Sequence, residues 1–146
     1  MRNDNLRRMR RIVVISLFGV AAVADAEELA QSDQAIVNTG QHIYTVKCAV
    51  CHGEGGRGDG PYAPMLYDKP SDLTALAKRS GGAFPSSEIY ETISGAELLP
   101  AHGTRDMPVW GQEMRGEALD GGFKVEPFVR ARILALIAYL QTIQQQ

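Results

Sequence analysis

Three side chains able to bind a metal or a cofactor lie together in the stretch CAVCH, residues 48–52. Cys48 and Cys51 are the only two cysteines in 146 residues, and His52 follows them directly. Two thiols and an imidazole at this spacing suit four kinds of chemistry: a disulfide, a dithiol redox motif, a zinc site, or covalent attachment of a haem. The surrounding sequence decides how well each one fits.

The first three kinds of chemistry fit poorly. A disulfide between residues three apart closes a very short loop, stabilises the fold little and gives His52 no role. Thioredoxin-like motifs lie among alternating strands and helices, whereas the flanks here indicate a helix followed by a glycine-rich loop. Zinc needs four ligands, and His42 and His102 are the only other histidines. These three interpretations stay open as alternatives.

Covalent haem attachment gives a role to all three side chains. In a C-x-x-C-H motif the two thiols form thioethers with the haem vinyl groups, and the histidine ligates the iron. The predicted cofactor is therefore one haem c, attached through Cys48 and Cys51 and ligated by His52.

The first 26 residues have the layout of a secretory signal peptide. Five arginines within residues 2–11 precede an apolar run at 12–24, which ends in the small-residue pattern ADA at 24–26. A membrane-spanning helix needs about 20 apolar residues, so the short run makes an uncleaved membrane anchor the alternative. We predict a signal peptide at 1–26 and one domain at 27–146. Together with C-x-x-C-H, this layout predicts a location in the bacterial periplasm.

The charge of the mature part excludes one class of partner. The chain has 15 basic and 17 acidic residues. Removing residues 1–26 takes away five arginines and two aspartates, which leaves 10 basic and 15 acidic residues and a net charge of about −5. This balance does not favour nucleic acid or an anionic membrane surface as a partner.

Apolar residues recur at helical spacing in several segments, and no segment alternates as a strand does. The segments predicted as helices are 35–50, a short run capped by Ser71, a second short run capped by Ser86 or Ser87 and ended by Gly95, and a long run with Pro127 at its first position. The apolar face of the last helix consists of Val129, Ile133, Leu136, Ile137, Leu140 and Ile143.

Between these helices the chain is rich in glycine and proline. Residues 53–64 and 96–126 are predicted as irregular loops, and residues 27–34 as a frayed lead-in. Long loops are uncommon in a compact domain unless something orders them. A buried haem would supply the large apolar core around which such loops fold.

Taken together, these residues resemble the class I c-type cytochromes over about residues 36–143. Gly40 and Tyr44 precede CAVCH as in the family's N-terminal helix, and Tyr139 resembles the aromatic residue on its C-terminal helix. The resemblance implies an all-α, small cytochrome c-like domain of about four to five helices wrapped around one covalent haem, with long glycine-rich loops. It also implies that Gly40 lets the two helices cross closely, with Tyr44 packed against Tyr139.

The resemblance extends to the segments that hold the haem. APML, residues 63–66, resembles the segment whose proline carbonyl fixes the ligating histidine. This implies that the Pro64 carbonyl accepts a hydrogen bond from His52 Nδ1 and that Leu66 lines the haem.

The second iron ligand is implied in the same way. RDMPVWG, residues 105–111, resembles the family's methionine loop, which implies Met107 as the ligand opposite His52 and Trp110 as an aromatic residue beside it. His/Met ligation raises the reduction potential, because a neutral thioether favours ferrous iron. His102 is the alternative to Met107, and bis-histidine ligation would lower the potential.

With both axial positions filled by the protein, the iron has no open site and cycles between Fe(III) and Fe(II). We therefore predict an electron carrier, not an enzyme, that exchanges single electrons with a membrane oxidase, a reductase or a periplasmic dehydrogenase. Weak, small encounters suit such transfer, and we expect a monomer or a weakly associating protein. The alternatives are a haem subunit of a larger oxidoreductase and a catalytic or gas-binding haem protein with an open sixth site.

Overall fold

The computed structural model describes residues 27–95 and 107–145. The predicted signal peptide, His102 and Arg105 lie outside the described residues. The chain divides into two compact units, Met1–Ala35 and Ile36–Gln146. In the first unit the described residues, 27–35, are helical and exposed. The expectation of a frayed lead-in at 27–34 is therefore wrong, since this segment is rich in good helix formers such as Glu, Ala, Leu and Gln.

The described part of the chain is all-α, as predicted, and contains no strand. The helices of the second unit are α1 (residues 36–47), α2 (Ala49–His52), α3 (Leu76–Arg79), α4 (Ser86–Ser94), α5 (Trp110–Asp120) and α6 (Val125–Thr142). Two 3₁₀ turns occupy Ala63–Met65 and Leu73–Ala75. Within residues 27–95 and 107–145, no helix combines the length and the hydropathy needed to cross a bilayer.

Helix α5 corrects the prediction that residues 96–126 are irregular. Gly111 and Gly116 lower the helix propensity of this segment, but burial outweighs that cost. The side chains of Met114 and Ala118 are fully buried against the core. A Cβ on Gly111 would lie 2.3 Å from the Ser94 carbonyl oxygen, so this glycine permits a close contact between α4 and α5 and does not break the helix.

The predicted helix ends are partly correct. Gly95 ends α4 in the left-handed conformation with a φ of 80°, as expected of a C-terminal glycine. The predicted caps Ser86 and Ser87 lie inside α4, which begins without a side-chain cap after Pro85. Pro127 lies at the third position of α6, still within its first turn, where its missing N–H leaves no helical bond unmade.

The close crossing of α1 and α6 is confirmed. A Cβ on Gly40 would lie 1.9 Å from the Ala135 carbonyl oxygen and 2.9 Å from Tyr139 Cβ. Beside this crossing, the rings of Tyr44 and Tyr139 meet with centroids 5.2 Å apart and planes tilted by 48°. The predicted apolar face of α6 is buried from Val129 to Leu140, and Ile143 packs against its edge.

We predict that Gly40→Ala destabilises the folded protein by about 1–3 kcal/mol, because the added methyl group meets backbone atoms that cannot move without shifting α6. Urea denaturation of the holoprotein measures the effect. Gly116→Ala is the matched control: Gly116 lies in α5, and a Cβ added there would have nothing within 4 Å. That variant is expected to be neutral or more stable by up to about 1 kcal/mol. Equal losses in both variants would contradict the close-crossing account.

Candidate functional site

A cavity of about 380 Å³ lies beside the end of α1. Its lining comes from helices α1, α2, α3, α4, α5 and α6 and from the chain segments 66–73 and 107–108. Most of this wall is apolar and consists of Leu66, Leu73, Leu76, Ile89, Ile93, Leu136 and Leu140. Such a wall suits a large apolar group with few polar contacts.

Helix α2 brings the three motif residues to this cavity. Its single turn is closed by hydrogen bonds from the N–H groups of Cys51 and His52 to the Cys48 carbonyl, at 3.1 and 2.8 Å. Both cysteines and His52 line the cavity. This turn therefore places all three side chains on one cavity, as their spacing in the sequence predicted.

The backbone just after the motif is fixed by α1. The buried Tyr44 hydroxyl donates a hydrogen bond of 2.5 Å to the Gly53 carbonyl, and burial raises the pKa of Tyr44, so the hydroxyl keeps its proton. Gly53 has a φ of 80°, and a Cβ there would lie 2.0 Å from Asp59 Oδ1. The chain therefore turns sharply directly after His52.

The imidazole of His52 is oriented by a backbone carbonyl. Its Nδ1 lies 3.0 Å from the Ser71 carbonyl oxygen. Because a carbonyl can only accept, Nδ1 carries the hydrogen, and Nε2 keeps the lone pair that a metal ligand needs.

The predicted partner of His52, the Pro64 carbonyl, is wrong. Pro64 lies in the 3₁₀ turn Ala63–Met65 and is not among the residues that line the cavity. The glycine-rich loop instead packs against the later segment: the Leu73 N–H donates to the Gly56 carbonyl at 2.6 Å. A Cβ on Gly58 would lie 2.1 Å from the Pro70 carbonyl oxygen. This packing brings Ser71 to the histidine.

Ser71 is held in turn by its neighbour. The expected helix cap was Ser71, but Asp72 is the cap, with Oδ1 accepting from the Thr74 N–H at 2.8 Å and from the Thr74 hydroxyl at 2.6 Å. The hydrogen bond from the Thr74 side chain lowers the pKa of Asp72. A charged carboxylate therefore fixes the turn that presents the Ser71 carbonyl.

The two thiols are free and do not form a disulfide. Burial raises the pKa of Cys48 to about 12, although the nearby Lys47 opposes the shift. Both thiols are therefore available to a group bound in the cavity that they line. In the part of the chain that the structure describes, no group of three or more His, Cys, Asp and Glu side chains is arranged to hold a metal ion.

The methionines that the structure describes lie in three different environments. Met107 lines the cavity, as do Leu66 and Trp110. Met114 is fully buried in the core, and Met65 is 72% exposed. Among the described residues, Met107 is thus the methionine that shares the cavity with His52. The ligand pair His52 and Met107 stays a prediction, and its rival His102 lies outside the described residues.

Sequence reasoning missed Lys47, a charged residue of the cavity wall. Lys47 lines the cavity with its side chain only 8% exposed and forms ion pairs with Glu113 and Glu117. Glu113 lies 66 positions later in the chain, inside the segment that was predicted to be irregular. Only tertiary packing reveals this pairing.

Comparison with known proteins gives one family. The family model described as "Cytochrome C oxidase, cbb3-type, subunit III" matches residues 35–121, more than half of the chain. The matched stretch contains both cysteines, His52, Met107 and α5. No curated protein and no solved structure matches the chain significantly. The two thiols, the imidazole and the thioether on one largely apolar cavity fit the haem that the motif predicts.

We predict that the negative charge of Asp72 stabilises the folded protein at neutral pH and that this stabilisation is lost in acid. Because the folded pKa is lowered, this contribution is present above the unfolded value and is lost as pH falls through the folded pKa. Asp72→Asn keeps a capping oxygen without the charge. Its stability deficit against the wild type, measured by urea denaturation, is therefore expected to be larger near pH 7 than near pH 3. Asp72→Ala loses the cap as well, at a cost of about 1 kcal/mol at neutral pH. A deficit of Asp72→Asn that is the same at both pH values would contradict this account.

Proposed function

Because the chain belongs to the c-type cytochrome family described as cbb3-type cytochrome c oxidase subunit III, we propose that it carries single electrons between redox proteins in the bacterial periplasm, with His52 and Met107 as axial ligands. Its cofactor is one haem c, attached covalently through the C-x-x-C-H motif at Cys48 and Cys51. When bound, this group supplies the Fe(III)/Fe(II) couple. The observation that carries the proposal is that both cysteines, His52 and Met107 line one cavity.

Each of these side chains has a defined task in the proposal. The thiols of Cys48 and Cys51 hold the cofactor by thioether bonds. The imidazole of His52 offers Nε2 as a ligand, because Nδ1–H is bound to the Ser71 carbonyl. The Met107 thioether would supply a second, neutral and soft ligand, which favours ferrous iron. The apolar wall would limit the access of water to a haem bound there, which would also favour the less charged reduced state.

The family description also supports the choice of partner. It names a subunit of a cbb3-type oxidase, so we propose a membrane oxidase as the electron acceptor. A second candidate, favoured by the same description, is a haem subunit that stays bound to such a complex. In both cases the chain transfers electrons and does not bind substrate at its iron.

We predict that Met107→Ala abolishes the weak far-red band that thioether-ligated ferric haem shows, because the sixth position opens. The reduced variant is then expected to bind carbon monoxide, unlike the reduced wild type. Optical spectra of both oxidation states measure these changes. Met65→Ala is the matched control, since Met65 is exposed and does not line the cavity.

Two results would contradict the His52/Met107 assignment. A wild-type protein that lacks the band and takes up carbon monoxide has an open iron, which favours a catalytic or gas-binding haem protein. A spectrum that Met107→Ala leaves unchanged, but that His102→Ala alters, would assign the sixth ligand to His102.

We predict that the exported protein begins at residue 27, because ADA at 24–26 is a small-residue cleavage pattern. N-terminal sequencing of the periplasmic fraction checks this. Ala26→Leu places a bulky residue at the cleavage position and is expected to leave the full-length chain in the membrane fraction. A wild-type protein recovered uncleaved in the membrane fraction would instead indicate an N-terminal anchor.

A further inference from the structure

The haem cavity contains a buried cation that the proposed ligand set does not use. Lys47 is the last residue of α1 and directly precedes the first cysteine. Its side chain is 8% exposed and lines the cavity. The ammonium lies 5.4 Å from the centroid of the Trp110 ring, which lines the same cavity. This geometry is that of a cation–π contact.

The ammonium is held by carboxylates of α5. Lys47 Nζ donates to Glu113 and lies 2.7 Å from Glu117 Oε1. Glu117 in turn meets Arg132 of α6 at 3.2 Å. These four side chains form a network of two cations and two carboxylates, defined here as the Lys47 network. Its charges balance, but of its members only Lys47 lines the cavity.

Lys47 keeps its positive charge. Burial alone would lower the pKa of the ammonium, but its hydrogen bonds to Glu113 and Glu117 outweigh burial and raise the pKa. The same pairing lowers the pKa of Glu117. Both charges therefore persist at neutral pH, and the residue that carries the positive one lines the cavity.

We propose that Lys47 sets the reduction potential of the haem, its buried ammonium favouring the ferrous state while Glu113 and Glu117 hold the ammonium in place and moderate its field. This inference rests on the proposed function as an electron carrier. Reduction adds one electron to the iron, which lowers the charge of the site by one unit. A fixed cation on the cavity wall opposes the more positive oxidised state, and its field is screened less there than at an exposed site.

Potentiometric titration of the holoproteins, followed by optical spectra, tests the proposal. Lys47→Gln removes the cation and leaves both carboxylates, so the midpoint potential is expected to fall. Glu113→Gln removes one carboxylate, so the potential is expected to rise. A merely structural role would not give shifts of opposite sign. Arg115→Gln is the matched control: it also removes one positive charge, but Arg115 is exposed, pairs with Glu126 and does not line the cavity.

The conservative variant Lys47→Arg keeps the charge and is expected to keep a potential close to that of the wild type. The proposal is overturned if Lys47→Gln shifts the potential no more than Arg115→Gln, if Lys47→Arg shifts it as far as Lys47→Gln, or if Lys47→Gln and Glu113→Gln shift it in the same direction. Should Lys47→Gln fail to fold, Glu113→Gln and Lys47→Arg decide: the proposal is then overturned if Glu113→Gln does not raise the potential above that of the wild type, or if Lys47→Arg shifts it by as much as Glu113→Gln does. Failure of the proposed function looks different, since the wild type would then lack a reversible one-electron couple.

Discussion

The close crossing of α1 and α6 at Gly40 is the contact on which the rest of the structure depends. Only a residue without a side chain allows the Ala135 carbonyl to approach this near. The crossing sets Tyr44 against Tyr139, and from there the Tyr44 hydroxyl reaches the Gly53 carbonyl behind the haem-binding motif. One backbone contact thus places the end of α1, the motif and the α6 wall of the cavity relative to one another.

A second constraint on the site comes from the packing of two loop segments against each other. Gly58 lets the loop after the motif approach Pro70, whose carbonyl oxygen would lie 2.1 Å from a Cβ at that position, and the Gly56 carbonyl accepts a hydrogen bond from the Leu73 N–H. The Asp72 cap then fixes the turn from which the Ser71 carbonyl reaches His52. The histidine is therefore oriented by two segments that have little regular structure. Their order comes from hydrogen bonds and close backbone packing, not from helix propensity.

Sequence patterns predict those parts of the molecule that are determined by residues close together in the chain. The C-x-x-C-H spacing identifies the cofactor residues because the chemistry requires that spacing. The periodicity of the last helix predicts its buried face, since six apolar residues recur on one side. The all-α class and the Gly40 crossing, the latter implied by family resemblance, are likewise confirmed.

What the sequence could not predict depends on contacts between distant segments. Helix α5 was missed because Gly111 and Gly116 weaken its local pattern, while the burial of Met114 that stabilises it is tertiary. The resemblance of APML implied Pro64 as the partner of His52, but loop packing decides which carbonyl reaches the ring, and it brings Ser71 there. Nothing in the local sequence marks Lys47 as buried, because the carboxylates that pair with it belong to α5, far along the chain.

The central claim is that this fold is built around a haem bonded covalently to Cys48 and Cys51. Intact mass spectrometry of the mature protein, after denaturation and acid–acetone extraction, tests it most directly. The account predicts that the mass of one haem remains on the polypeptide. A polypeptide with the mass of the mature chain alone, and with the haem in the extract, would contradict it.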